Sequence, residues 1–214
     1  MNNILFPEQI SYLEDINRHG DELLTRLEKY AEEKGVPILD KISAALLEQL
    51  IIISKPSKVL ELGTAIGYST IRAARKLQEG SKIISVEISP DSYKIARINL
   101  DKSGAGDKAE LVLGDAIDYT AQCKEAFDFI FLDADKEDYE TLFNNSVKLL
   151  NTGGVMFIDN LLWHGYAAID NVPQKYVNSA KHIKKFNEMF MAREDFNSVI
   201  LPVGDGIGLG IKIV

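Results

Sequence analysis

From Val59 onward the chain alternates short apolar runs with amphipathic stretches. VLEL breaks at Gly63, SKIISVE ends on Glu87, AELVLGDA runs out near Asp115, FDFIFLDAD ends at Asp133, and GGVMFIDN ends at Asp159 and Asn160. Runs of this length, rich in β-branched and aromatic side chains and closed by glycine or acidic residues, predict buried strands. The stretches between them carry helical periodicity. STIRAARKL follows the first run, and EDYETLFNNSVKLL precedes the fifth. Ser89 stands as the N-cap of another helix, with Pro90 at its first position and Gly104 closing it. Strands alternating with helices imply a parallel, doubly wound α/β sheet. The chain closes with NSVILPV, GDG and IGLGIKIV. Two apolar runs joined through a D-G turn form a β-hairpin, so the last strand is antiparallel.

Ahead of the first strand, residues 1–54 read as helical. Asp21 to Lys34 places Leu23, Leu24, Leu27 and Tyr30 on one stripe, ended by Gly35 and Pro37. A second helix starts from Asp40 as N-cap and runs through AALLEQLIII. These two helices form either a packing layer or a lid over the sheet. Only 161–195 carries no strand pattern, which makes it the place for a substrate loop and one helix.

The 214 residues suit one domain, 1–214, with a large core. Hydrophobic content of 46% and charged content of 26% are those of a soluble globular chain. LIII at 50–53 falls far short of the roughly 18 residues that span a membrane. MNNILFPEQ has no basic region followed by an apolar core, so a cytoplasmic location is expected. Cys123 alone excludes an intrachain disulfide or a cysteine-rich zinc site. A net charge of −8 opposes nucleic-acid binding over the whole surface but leaves room for a local basic patch.

The first strand, glycine turn and helix (Val59 to Ser69, VLELGTAIGYS) form the opening unit of a nucleotide-binding domain. G-x-G-x-x-G is absent; Glu61 on the strand with glycines four apart is closer to S-adenosylmethionine (SAM) enzymes. Glu87, 24 residues after Gly63, stands where an acidic residue takes two ribose hydroxyls. Asp115 can accept the exocyclic amine of adenine, with the Ala116 amide available for a ring nitrogen. Ser69 either binds a ligand carboxylate or caps the helix.

A second group lies at the ends of the fourth and fifth strands. If those strands are neighbours, Asp133, Asp159 and Asn160 converge. Two carboxylates and an amide oxygen are hard ligands suited to Mg²⁺ or Ca²⁺; alternatively they stabilise turns. Lys136 is either a base that takes a proton from a hydroxyl or a surface lysine opening a helix. His164 is a second candidate base. Trp163 and Tyr166 line a flat pocket or cover the core edge. Lys175, Lys181, Lys184, Lys185 and Arg193 make 175–193 the most basic segment, a solvated face or an RNA contact.

With these residues in view, the sequence resembles the metal-dependent class I SAM O-methyltransferases of the catechol/caffeoyl-CoA type. ELGTAIGYS, VEISP, GDA, FLDADK, FIDNLLWHG and LPVGDG carry the resemblance over about residues 36–214. Within that family LEKYAEEKGVPILD is most similar to the bacterial tRNA 5-hydroxyuridine methyltransferases, which make 5-methoxyuridine at the wobble position. The resemblance implies a Rossmann-like methyltransferase sheet with N-terminal helices. It implies SAM contacts at Leu39, Gly63, Ser69, Glu87, Asp115, Ala116 and Asp133. Mg²⁺ would be held by Asp133, Asp159 and Asn160, with Lys136 at the base position. Asp205 lies where relatives sometimes meet substrate. A homodimer and a tRNA anticodon-region substrate are further expectations, with a small catechol or phenol as the alternative acceptor.

Overall fold

The computed structural model describes residues 6–17 and 20–214. The helical reading of 1–54 also covers 1–5 and 18–19, which lie outside the described residues. Among the described residues three helices precede the sheet: α1 (Pro7–Ile16), α2 (Glu22–Lys34) and α3 (Lys41–Ser54). The termini of the last two follow from their sequence. Asp21 accepts a hydrogen bond from the Leu24 amide at 2.9 Å, and Gly35 closes α2 in the left-handed conformation. Asp40 accepts from the Ile42 and Ser43 amides, both at 3.0 Å. Two helices were expected here. The extra one, α1, buries no residue, so it has no core stripe for periodicity to reveal.

The alternating part runs β1 (Lys58–Leu62), α4 (Tyr68–Lys76), β2 (Lys82–Glu87), α5 (Pro90–Ser103), β3 (Ala109–Leu113), α6 (Ala116–Gln122), β4 (Phe127–Leu132), α7 (Tyr139–Leu149) and β5 (Leu150–Ile158). Then come 3₁₀ turns at Trp163–Ala168 and Gln174–Tyr176, α8 (Val177–Met191), and the hairpin β6 (Phe196–Leu201) and β7 (Ile207–Lys212). The seven strands lie in the order β3-β2-β1-β4-β5-β7-β6. β1 to β5 pair in parallel, while β7 runs antiparallel to both β5 and β6. The sheet is thus the expected Rossmann-like one, mostly parallel with an antiparallel last strand.

Side chains alternate across the sheet, as pleating requires. Val59, Ile83, Phe129, Phe131 and Phe157 pack with Leu24, Leu27, Leu47 and Ile51 of α2 and α3. Leu60, Leu62, Ile130, Leu132 and Met156 pack with Phe143, Phe186 and Phe190 of α7 and α8 on the other face. Phe127 departs from this parity because the β4–β5 register shifts between Phe127 and Phe129. α2 and α3 are therefore a packing layer of the core. Their connecting loop does more, since Pro37 and Ile38 face the cavity described next. No described helix is long and apolar enough to cross a membrane.

Candidate active site

The strand order reverses between β1 and β4, and an open α/β sheet binds ligands at the carboxyl ends beside such a reversal. A cavity of about 650 Å³ opens there. Gly63 ends β1 with φ +105°, and a Cβ at this position would lie 1.8 Å from the Asp133 carbonyl oxygen. Only glycine lets the turn lie against the end of β4. The strand-end groups of β1 and β4 are thereby held side by side.

One half of the cavity carries Gly63, Glu87, Asp115 and Ala116. Glu87 accepts the Ala65 amide at 2.7 Å on one oxygen and the Ser89 amide at 2.8 Å on the other. These bonds fix the carboxylate and leave lone pairs for two vicinal hydroxyls. Asp115 caps α6 through Oδ1, which accepts from Ile117 and Asp118. Its Oδ2 and the first amide of α6, at Ala116, remain for an edge that offers one donor and one acceptor. Ser69 is buried below the turn and donates to Glu61 at 2.5 Å, not into the cavity. Leu39 is 2% exposed and belongs to the core, so the wall at this point is Pro37 and Ile38.

Glu61 itself carries a cluster that the sequence reading passed over. Its carboxyl is fully buried, and Ser69, Thr70 and Ser85 donate hydroxyls to it. Burial outweighs these three bonds and pushes its pKa up to about 7. The sequence signal was a lone glutamate in an apolar strand with hydroxyl residues opposite it.

Across the cavity, Leu132 pairs with Ile158, so Asp133 and Asp159 leave adjacent strands side by side. Both line the cavity together with Asn160 and Lys136. Asp159 is 5% exposed, and its pKa is pushed well above the usual carboxylate range by burial and then by the Asp133 charge. Lys136 partly offsets this. Among the described residues no three His, Cys, Asp or Glu side chains form a metal cluster, which leaves two carboxylates and one amide. Such a donor set, hard and short of positive charge, fits a divalent cation of the Mg²⁺ kind. Lys136 is 8% exposed and donates to Tyr139 Oη at 2.7 Å, the Ala134 carbonyl at 3.0 Å and Asp133 Oδ1 at 3.3 Å. The Tyr139 hydroxyl in turn donates a hydrogen bond to the Asp159 carbonyl at 3.0 Å. Lys136 is thus a buried side chain at the strand ends and not a surface lysine.

The open side of the cavity is aromatic. Trp163, His164 and Tyr176 line it with Lys175 and Ser179. Trp163 donates to Ser179 at 2.9 Å, and its ring lies 6.2 Å from that of Tyr176. Tyr166 stacks behind Tyr176 at 5.1 Å. Tyr176 and Ser179 escaped the sequence reading because α8 folds back over the strand ends only in three dimensions. Lys181 and Lys184 are exposed away from the cavity, Lys185 pairs with Glu140 at 2.7 Å, and Arg193 pairs with Asp195. Asp205 stands behind the wall, accepting from the His164 amide and from Asn160 Nδ2 at 3.5 Å.

A family profile described as O-methyltransferase matches residues 14–213. A catechol O-methyltransferase of Niastella koreensis is 31% identical over 222 residues, covering 99% of each chain. A caffeoyl-CoA O-methyltransferase of Stellaria longipes is 30% identical over 196 residues, covering 87% of this chain and 81% of its own. Among solved structures, an O-methyltransferase from Bacillus cereus in complex with SAH superposes with a TM-score of 0.84 at 29% identity, covering 94% of this chain and 96% of its own.

Proposed function

The chain belongs to the O-methyltransferase family, as a SAM-dependent enzyme of the catechol/caffeoyl-CoA type, and from that premise we propose that it methylates one of two vicinal oxygens on a small planar phenol. The observation that carries this reading is the match along 99% of both chains to a catechol O-methyltransferase. When bound, SAM supplies the methyl group and Mg²⁺ supplies the Lewis acidity that eases loss of a phenolic proton.

The residues divide the work. Glu87 accepts the ribose hydroxyls, and Asp115 with the Ala116 amide reads the adenine edge. Asp133, Asp159 and Asn160 would hold the cation. Trp163 and Tyr176, perpendicular to each other at 6.2 Å, wall the open side with aromatic surface on which a flat ring can rest with its oxygens toward the strand ends. Lys136 stands beside Asp133 as the proton acceptor. With all three ammonium protons donated, it serves as a base once one of them has passed to solvent.

A tRNA bearing 5-hydroxyuridine is the second reading, since its 5-hydroxyl and 4-carbonyl also form a vicinal pair. It draws support from the VPILD segment and from Lys175 at the cavity mouth. The names of the relatives favour the small acceptor. Incubating the protein with SAM, MgCl₂ and either catechol or 5-hydroxyuridine-containing tRNA separates the two. Mass spectrometry should detect methylated catechol, and EDTA should abolish it. Methylation of the tRNA with none of catechol would reverse the assignment.

A further inference from the structure

The turn between β6 and β7 does not reach the cavity, yet it is bonded to the segment that does. Leu161 and Leu162 donate their amides to the carbonyls of Gly206 and Asp205, both at 2.8 Å. Gly206 approaches so closely that a Cβ would lie 2.6 Å from the Leu162 nitrogen. Asp205 adds two side-chain bonds, one oxygen accepting the His164 amide and the other Asn160 Nδ2 at 3.5 Å. The segment held in this way is strained. Asn160, Trp163 and His164 have φ of 61°, 46° and 57°, in the left-handed region that side-chain-bearing residues adopt only at an energetic cost. Such backbone persists where neighbours over-determine it.

We infer that Asp205 is a positioning residue for cation binding: it fixes which way the Asn160 amide points. A carboxylate only accepts, so Asn160 must turn its NH₂ toward Asp205. That leaves Asn160 Oδ1 as the atom presented on the cavity side with Asp133 and Asp159. An amide turned the other way would aim its NH₂ there, and an NH₂ is no ligand for a hard cation. Asp205 therefore acts through Asn160 and is not a substrate contact. The inference rests on the proposed cation site.

An Asp205→Asn variant is isosteric but has one acceptor for two donors. Whichever way its amide lies, it meets either the His164 N–H or the Asn160 NH₂ with a donor. Adding Asn160→Asp restores the pairing with the roles exchanged, because the new carboxylate accepts from the residue-205 amide. Mn²⁺ titration of the full chain followed by EPR reads the site without turnover, with SAM calorimetry reporting that each variant is folded. D205N should weaken Mn²⁺ binding by about tenfold or more, the usual effect of losing an outer-shell partner. N160D/D205N should recover affinity to within about threefold of the original chain. Unaltered Mn²⁺ affinity in D205N, or a double variant no better than D205N, overturns the inference alone. Failure of the unsubstituted chain to take up Mn²⁺ removes the cation site and this inference together.

Discussion

Two buried ionisable side chains next to the cavity have opposite partners, and so opposite consequences. Glu61 has three hydroxyl donors and no cation bonded to it. With its pKa at about 7 in the fold against an ordinary 4.5, the native state holds a proton that the unfolded chain has already lost. Native proton uptake exceeds unfolded uptake in that window, so this contribution to stability is complete below pH 4.5 and is lost as pH rises through 7. The loss is on the order of 3 kcal/mol. Glu61→Gln should flatten the decline, seen as urea midpoints that fall less between pH 5 and pH 8 than those of the unsubstituted chain. Parallel slopes would show that Glu61 stays charged in the fold. Lys136, in contrast, is saturated with acceptors. Lys136→Ala should lower kcat with saturating SAM and catechol by about 10²-fold, the typical contribution of a positioned base. Initial rates that do not change would hand proton removal to solvent.

At the level of elements, the helical layer is tied to the cofactor turn by a buried ionic chain. Arg72 of α4, 3% exposed, donates to Glu48 of α3 at 2.5 Å and to Tyr68 Oη at 2.9 Å, and Tyr68 donates to Glu28 of α2 at 2.7 Å. Tyr68 directly follows Gly67, so the same helix begins where the glycine turn ends. Removing one member of a buried pair leaves the other charge uncompensated. Arg72→Met should cost about 3 kcal/mol in urea unfolding. A loss below about 1 kcal/mol would mean that Lys76, 3.4 Å from Glu48, takes over the pairing. The elements themselves were largely legible in the sequence. Strands β1 to β4 were visible because each combines an apolar run with a strand-end glycine or acid. The start of β5 was not, since residues 151–153 are exposed and two glycines, Gly153 and Gly154, interrupt the apolar run. Legibility of the candidate site follows the same division. The strand-end residues could be placed from local pattern alone. The offset from Leu39 to Ile38, the Tyr139 support for Lys136 and the Tyr176 wall depend on contacts distant in the chain.

For the molecule as a whole, charge bears on the choice between the two proposed acceptors. The net charge is −8, and seven carboxylates line the cavity: Glu87, Asp115, Asp133, Asp135, Glu137, Asp138 and Asp159. Against them stand Lys136, already committed to three acceptors, and Lys175 at the mouth. A polyanion entering here meets like charge on most sides, whereas a neutral catechol does not. Productive tRNA binding would therefore have to gather cations outside the cavity, and each phosphate neutralised releases counterions and steepens the salt dependence. With catechol as acceptor, kcat/KM should change by less than about threefold between roughly 50 and 200 mM KCl, because no counterions are released. Lys175→Ala should leave that flat profile in place, since no phosphate is there to be lost. A fall of tenfold or more across the same range with tRNA, together with saturation at lower concentration than catechol, would instead place the acceptor's recognition on α8 and the surface around Lys175.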